Sequence, residues 1–337
     1  MKRNPSGIVF FAAGATIVIC VIGLLNMHSS SSDGIEYEFS DRGSVVSYVP
    51  FASPGYNANI QINDTVVSIN NIEFKSLFDM KRNMIEKTGA GKIAVYEIIR
   101  KNETFLIPVQ MDYKYSRDYM FLMIFIPVLL FFVTTVFYVT FPYQSNTSLL
   151  LYILYQLITI LFVYSNVNYL FIPFYSILIL ASSFSPAVIL YIGQSMRREN
   201  SRLKVMAPSV ISFVISIVWF GGYLVFAKSP TQKSFEFFFS VLRLVQIAFI
   251  AFIAFGVKEL LSVIISNIKR SHRIYISYVL SFLLIGFIPF VLLFAIPMAI
   301  GRREILPLWI CVSFMAFPLM GLILFNRVLL KIIQKGD

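Results

Sequence analysis

The sequence predicts a polytopic α-helical membrane protein, with about eight transmembrane helices and one extracellular α/β domain near the N-terminus. Three observations predict it. Eight apolar segments are each long enough to cross a bilayer, a polar stretch of about 90 residues (Met27–Asp118) separates the first from the second, and basic residues favour alternate loops. Composition agrees: 58% of residues are hydrophobic and only 13% charged, where a soluble domain has roughly 25%. Most of the chain therefore lies in lipid or against other apolar helices.

The apolar segments run Ile8–Leu25, Tyr119–Thr140, Leu149–Tyr164, Leu170–Ile192, Ala207–Phe226, Phe237–Phe255, Ile274–Ala299 and Leu306–Phe325. Each has about 16–26 residues, against the roughly 20 that cross a hydrocarbon core of about 30 Å. Leu149–Tyr164 is the shortest. The first segment, within residues 1–27, has the basic start and apolar core of a signal sequence. Asn26-Met27-His28 offers no small-x-small cleavage pattern, and Cys20 follows the bulky Ile19, unlike a lipoprotein site. An uncleaved signal-anchor helix is expected. The domain at 33–113 follows, then a seven-helix membrane part at 119–328 and a short tail at 329–337.

The positive-inside rule sets orientation. With the N-terminus inside, thirteen basic residues are cytoplasmic: Lys2, Arg3, Arg197, Arg198, Arg202, Lys204, Lys258, Lys269, Arg270, Arg273, Arg327, Lys331 and Lys335. Only four, Lys228, Lys233, Arg302 and Arg303, fall in the short external loops. Both termini are therefore expected in the cytoplasm of a plasma-membrane protein. The net charge of +11 is a topology signal, and no nucleic-acid partner is expected. Cys20 and Cys311 both lie in apolar spans, so the external domain folds without disulfides. His28 and His272 fall on opposite sides of the membrane, and no metal site or cofactor is expected.

Past the Ser29–Ser32 linker the pattern changes to short strands. Ser44–Val49 and Thr65–Ile69 are β-branched and alternating, and Asn70-Asn71 is a turn signal. Ser76–Lys87 spaces Leu77, Phe78, Met80, Met84 and Ile85 as on a helix, with Ser76 at the N-cap position. Lys92–Arg100, a Lys101-Asn102-Glu103 turn and Thr104–Met111 close as a hairpin.

This order resembles the PDZ domain as bacteria arrange it. The likeness rests on Gly43–Val49, Ser53-Pro54-Gly55-Tyr56-Asn57-Ala58-Asn59-Ile60-Gln61-Ile62-Asn63-Asp64 and Val66–Asn70. Asn59, Asn63 and Asn71 stand where the family commonly has glycine, and asparagine is the next residue to tolerate the left-handed conformation. PDZ domains take extended peptides as an added strand, with loop N–H groups on a terminal carboxylate. The resemblance puts that loop at Asp33-Gly34-Ile35, making Gly34 and Ile35 candidate ligand-binding residues, although Asp33 is acidic where a carboxylate would approach. The alternative is a PDZ-shaped spacer with no groove in use.

Arg243 is the one charge placed well inside a span, where a charge normally faces a partner or a wet cavity. Glu236 lies two turns earlier and Gln246 three residues later, so Glu236, Arg243 and Gln246 form a candidate polar stripe lining an outward-facing ligand pocket. The other reading is a guanidinium reaching to headgroups or to Glu236. Prolines at 127, 173, 186, 289, 297, 307 and 318 are expected to kink or end helices. Catalytic patterns are missing: there is no His-Glu-x-x-His, Gly-x-Ser-x-Gly or Walker loop, and the spans hold almost no Asp or Glu. An enzyme is not expected.

One anchor helix, an external domain of this kind and seven further spans resemble the sensor half of ComP-type quorum-sensing histidine kinases. The likeness is carried by Ile60–Asn70, Ser281–Phe290 and Phe317–Gly321. It implies a non-catalytic receptor for an extracellular peptide or lipidated peptide signal in a two-component system. Its partners would be membrane lipids and a separate histidine kinase or other protein, since no phosphoacceptor or ATP-binding module is present in these 337 residues. The alternative is a transporter or membrane scaffold whose PDZ-like domain holds a partner protein.

Overall fold

A computed structural model describes residues 6–40, 43–74, 79–81, 88–140, 146–165, 172–197, 202–229, 231–265, 270–301, 305–306, 310–312 and 314. Helix α1 (Ser6–Ser29) leads to strands β1 (Ser31–Ser32), β2 (Glu36–Ser40) and β3 (Gly43–Tyr48). The single-turn helix α2 (Pro54–Asn57) precedes β4 (Thr65–Ile69), β5 (Ile72–Glu73), β6 (Ile93–Arg100), β7 (Glu103–Gln110) and β8 (Asp112–Tyr113). Helices α3 (Arg117–Thr140), α4 (Asn146–Tyr164), α5 (Ile172–Arg197), α6 (Arg202–Lys228), α7 (Gln232–Ile265) and α8 (Arg270–Phe290) follow. A π-helical turn, Val291–Ala295, joins α8 to α9 (Ile296–Ala299).

Six described helices are long and apolar enough to cross a membrane, over Val9–Ser29, Arg117–Val136, Ile172–Ile192, Ala207–Lys228, Lys233–Glu259 and Leu280–Ala299. The chain is thus a multi-pass membrane protein by length and composition. The eight spans expected from sequence reduce among the described residues to these six and the shorter apolar stretch Leu149–Tyr164 of α4. The eighth, Leu306–Phe325, lies almost wholly outside the described residues. Short α4 is also the most enclosed: Leu151, Leu154, Phe162, Val163 and Tyr164 are fully buried, with α1, α3 and α5 packed around it. A helix screened by protein has little surface of its own to match to the lipid thickness.

Side chains on α1, α3 and α6, such as Phe11, Phe121, Phe132 and Ile217, are exposed, as expected where acyl chains are the solvent. Close approach inside the bundle uses glycine. A Cβ on Gly23 would come within 2.7 Å of the Val163 side chain, and one on Gly222 within 2.9 Å of Val241. The Tyr164 hydroxyl also donates to the Ile19 carbonyl at 2.9 Å. Helix α1 is therefore built into the bundle through α4. At 34 residues, α7 outruns its expected span, because Lys258 and Glu259 interrupt hydropathy but not helix formation.

Pro127, Pro186 and Pro289 lie inside α3, α5 and α8, and α6 holds a further one, Pro208. Pro297 has no N–H for the carbonyl four residues earlier, that of Leu293. Chain returning after α9 fills the gap: Ile305 N–H reaches the Leu293 carbonyl at 2.9 Å.

The sheet is antiparallel in the order β2-β3-β4-β6-β7, with β5 on β4. Its buried face carries Val46, Val66, Ala94, Tyr96, Ile98 and Val109. Asn59, Asn63 and Asn71 all adopt positive φ, of 62°, 73° and 62°, the left-handed conformation that asparagine tolerates better than most residues. Lys101 and Asn102 do the same, at 52° and 66°, closing the two-residue β6–β7 hairpin. The helix expected over Ser76–Lys87 is described only at 79–81, where Met80 is fully buried. Its N-cap lies outside the described residues.

Both connections between sheet and bundle are paired with each other. Strand β1 runs antiparallel to β8, with Ser31 opposite Tyr113 and Ser32 opposite Asp112. The Lys114 N–H donates to the Ser30 carbonyl at 3.0 Å, and the His28 ring stacks on Tyr113 at 5.3 Å. This two-stranded neck ties the domain to α1 and α3 together.

Candidate functional site

The loop at Asp33-Gly34-Ile35 is stitched shut from within. Gly34 N–H donates to Ser32 Oγ at 3.0 Å, and Ile35 N–H to Asp33 Oδ1 at 3.1 Å. Neither donor points to a ligand. The Ile35 side chain is buried against Gly55, where a Cβ would overlap its Cδ1 at 2.3 Å. Gly55 N–H in turn donates to the Asp33 carbonyl at 3.0 Å. The two sequence candidates thus hold the loop to α2.

Asp33 is the centre of this arrangement. It is 3% exposed, and its Oδ2 accepts from the Tyr37 and Tyr96 hydroxyls at 2.5 and 2.8 Å. Burial pushes the Asp33 carboxyl above the usual carboxylate range, against the opposing pull of hydrogen bonds from Tyr37, Ile35 N–H and Tyr96. Burial likewise pushes both phenols well up. The signal for this cluster was in the sequence: a tyrosine on a buried strand face needs a partner for its hydroxyl, and Asp33 is an acid beside β2.

A second polar knot fixes the turn before β4. Arg100 Nε and Nη2 donate to the two carboxylate oxygens of Asp64 at 2.7 and 2.6 Å, while Gln61 N–H donates to Asp64 Oδ2 at 2.8 Å. The Asp64 side chain is only 2% exposed, against 21% for Arg100.

Between these knots and the neck lies a cleft of about 410 Å³. It is walled by Pro54, Asn57, Pro108, Gln110, Asp112 and Tyr113, among others. Asn57 and Gln110 supply amide donors and acceptors, Asp112 a carboxylate, and Tyr113 an aromatic face. Edge strand β7 forms one side, and Pro108 there has no N–H to offer an added strand. Sequence reasoning missed this cleft, because α2 and β7 lie far apart in the chain and meet only in the folded domain.

The second candidate, the stripe on α7, is divided by the structure. Glu236 and Arg243 are exposed, whereas Gln246 is 2% exposed and faces the bundle. The Arg243 guanidinium lies 5.1 Å from the Phe239 ring centroid and directly on Gly301. Gln246 Oε1 meets no hydrogen-bond partner. The three do not line one pocket among the described residues. A cavity inside the bundle lies elsewhere and is smaller, about 40 Å³, walled by Ser182, Pro186, Phe249, Ile253 and Phe287 among others. Among the described residues, no group of three or more His, Cys, Asp or Glu is placed to hold a metal.

No protein-family model matches the chain, and no curated protein is significantly similar to it.

Proposed function

We propose that the chain is a non-catalytic membrane sensor that receives an extracellular peptide signal in the cleft beside the neck. What supports the reading is that the cleft wall and the neck are the same residues. Asp112 and Tyr113 line the cleft and form β8, which pairs with β1. Tyr113 also stacks on His28 of α1. A ligand pressing on Tyr113 acts on α1 and α3 at once, and α1 and α3 both pack on central α4. Asn57, Gln110 and exposed Asp112 suit a peptide backbone and a basic group.

The excess of basic residues on the opposite loops supports an external domain. The likeness to the input half of ComP-type kinases supports a cytoplasmic partner kinase. Gly34 and Ile35 become positioning residues of the cleft wall.

A photo-crosslinking residue at Gln110, used on intact cells in their own growth medium, tests this. The expected result is a captured peptide that disappears when Asn57→Trp fills the cleft. Solute uptake by vesicles reconstituted with the pure chain would instead establish a carrier and end the sensor reading.

A further inference from the structure

We infer that Arg243 is a binding site for the phosphodiester of a membrane phospholipid. The guanidinium has a built seat. Phe239, one turn earlier on α7, offers its ring face at 5.1 Å. Gly301 lies beneath it so closely that a Cβ there would stand 2.7 Å from Cζ and from Nη2. Gly301 has φ +79° and ends α9, with its N–H on the Met298 carbonyl at 3.1 Å. The following chain is pinned by Ile305 N–H on the Leu293 carbonyl, which Pro297 leaves free. The seat is therefore held by backbone on both sides.

The seated group remains open. Guanidinium carries five N–H donors in a planar fork that matches a phosphate. Among the described residues, the single ion pair is Arg100 with Asp64, and no hydrogen bond engages Arg243. Its neighbours on the open side of α7 are Ser240, Leu244 and Ile247, all exposed, the last two at 64% and 53%. An open guanidinium on a surface that faces acyl chains requires an oxyanion.

Depth selects the source. Arg243 lies six residues past Phe237, where the apolar run of α7 begins, roughly 9 Å along the axis, and its side chain reaches back toward the helix start, over Phe239. Gly301, beyond the end of α9, lies at that same end of the bundle. The donors thus sit near headgroup level, opening sideways into lipid rather than into the cleft of the sheet domain. A phospholipid phosphate reaches that position, and a soluble ligand in the cleft does not.

The test is lipid retention by the full chain in detergent micelles, read by native mass spectrometry without any peptide signal. Phosphatidylglycerol and diacylglycerol of the same acyl chains are compared in the wild type, Arg243→Gln, Arg243→Lys and Gly301→Ala. The expected result is at least five-fold weaker retention of phosphatidylglycerol in Arg243→Gln, partial loss in Arg243→Lys, and no difference for diacylglycerol. Gly301→Ala, which keeps the charge but displaces it, should also weaken retention. Equal retention by the wild type and Arg243→Gln overturns the site. Displacement of the lipid by millimolar inorganic phosphate or by a short peptide carboxylate would assign the guanidinium to a soluble anion and overturn it equally.

Discussion

Buried polar groups are handled in opposite ways by the sheet domain and the helical bundle. In the sheet domain they recruit partners from far along the chain. Asp33 is met by Tyr96 as well as by its near neighbour Tyr37, Asp64 by Arg100, and Ser31 Oγ donates to the Thr88 carbonyl. Ser44 Oγ is the exception. In the bundle, serine and threonine hydroxyls turn back on their own helix, as with Thr134 to Leu130, Thr159 to Tyr155, Ser185 to Ala181 and Ser216 to Ser212, all at 2.8–2.9 Å, while the longer tyrosines Tyr164 and Tyr191 reach a neighbouring helix. Other buried polar atoms there, Gln156 Oε1, Ser183 Oγ, Trp219 Nε1 and Gln246 Oε1, meet no partner among the described residues. The difference follows from the solvent. A domain in water keeps a buried carboxylate only if donors replace the lost hydration. A membrane helix has already satisfied its backbone, and a hydroxyl can share those carbonyls at little cost.

Breaking the sheet domain's way should have the largest effect. Arg100→Ala strands the Asp64 carboxylate, and removing one member of a buried pair costs about 3 kcal/mol. Urea unfolding followed by tyrosine circular dichroism should show that loss for the domain, with bundle helicity unchanged. A loss under about 0.5 kcal/mol would make the pair an ordinary surface bridge and erase the contrast.

The bundle predicts the opposite sign. Gln246→Leu removes a buried amide whose oxygen is unsatisfied, and should raise stability by about 1 kcal/mol. Thermal unfolding in micelles, followed by tryptophan fluorescence, checks it. Destabilisation by this variant would mean that Gln246 serves a partner after all.

The smallest effect is a pH dependence. Burial raises the Asp33 pKa in the folded domain, so the folded form takes up its proton before the unfolded chain does. Its contribution to stability is then fully present below the unfolded value of roughly 3.9. That contribution fades as pH rises through the folded value. Other carboxylates act in the same range, so the quantity to measure is the melting-temperature difference between wild type and Asp33→Asn. That difference should shift in favour of the wild type as pH falls toward 4. A flat or reversed trend would show that the three donors outweigh desolvation.

The elements were largely legible. Strands at Thr65–Ile69 and Ile93–Arg100 follow from β-branched alternation, and the positive φ of Asn59, Asn63 and Asn71 from their place in the turns. Asp33 was legible only as an awkward charge in a loop. Arg243 stood out as a charge in an apolar run, but its grouping with Gln246 did not survive folding. Residues three apart on a helix differ by about 60° in direction, enough to separate a lipid-facing side chain from a buried one when the helix packs on one side.

The sequence by itself determined where the chain is apolar, where it forms strands and where it must turn, because hydropathy, alternation and left-handed residues act within a few positions. Tertiary structure alone decided that Ser31–Ser32 pairs with Asp112–Tyr113, that Gly301 receives Arg243, and that α4 lies at the centre. Those outcomes join segments some 60 to 150 residues apart. They depend on how each helix is rotated and how far the sheet curls, quantities that only the packed partners set.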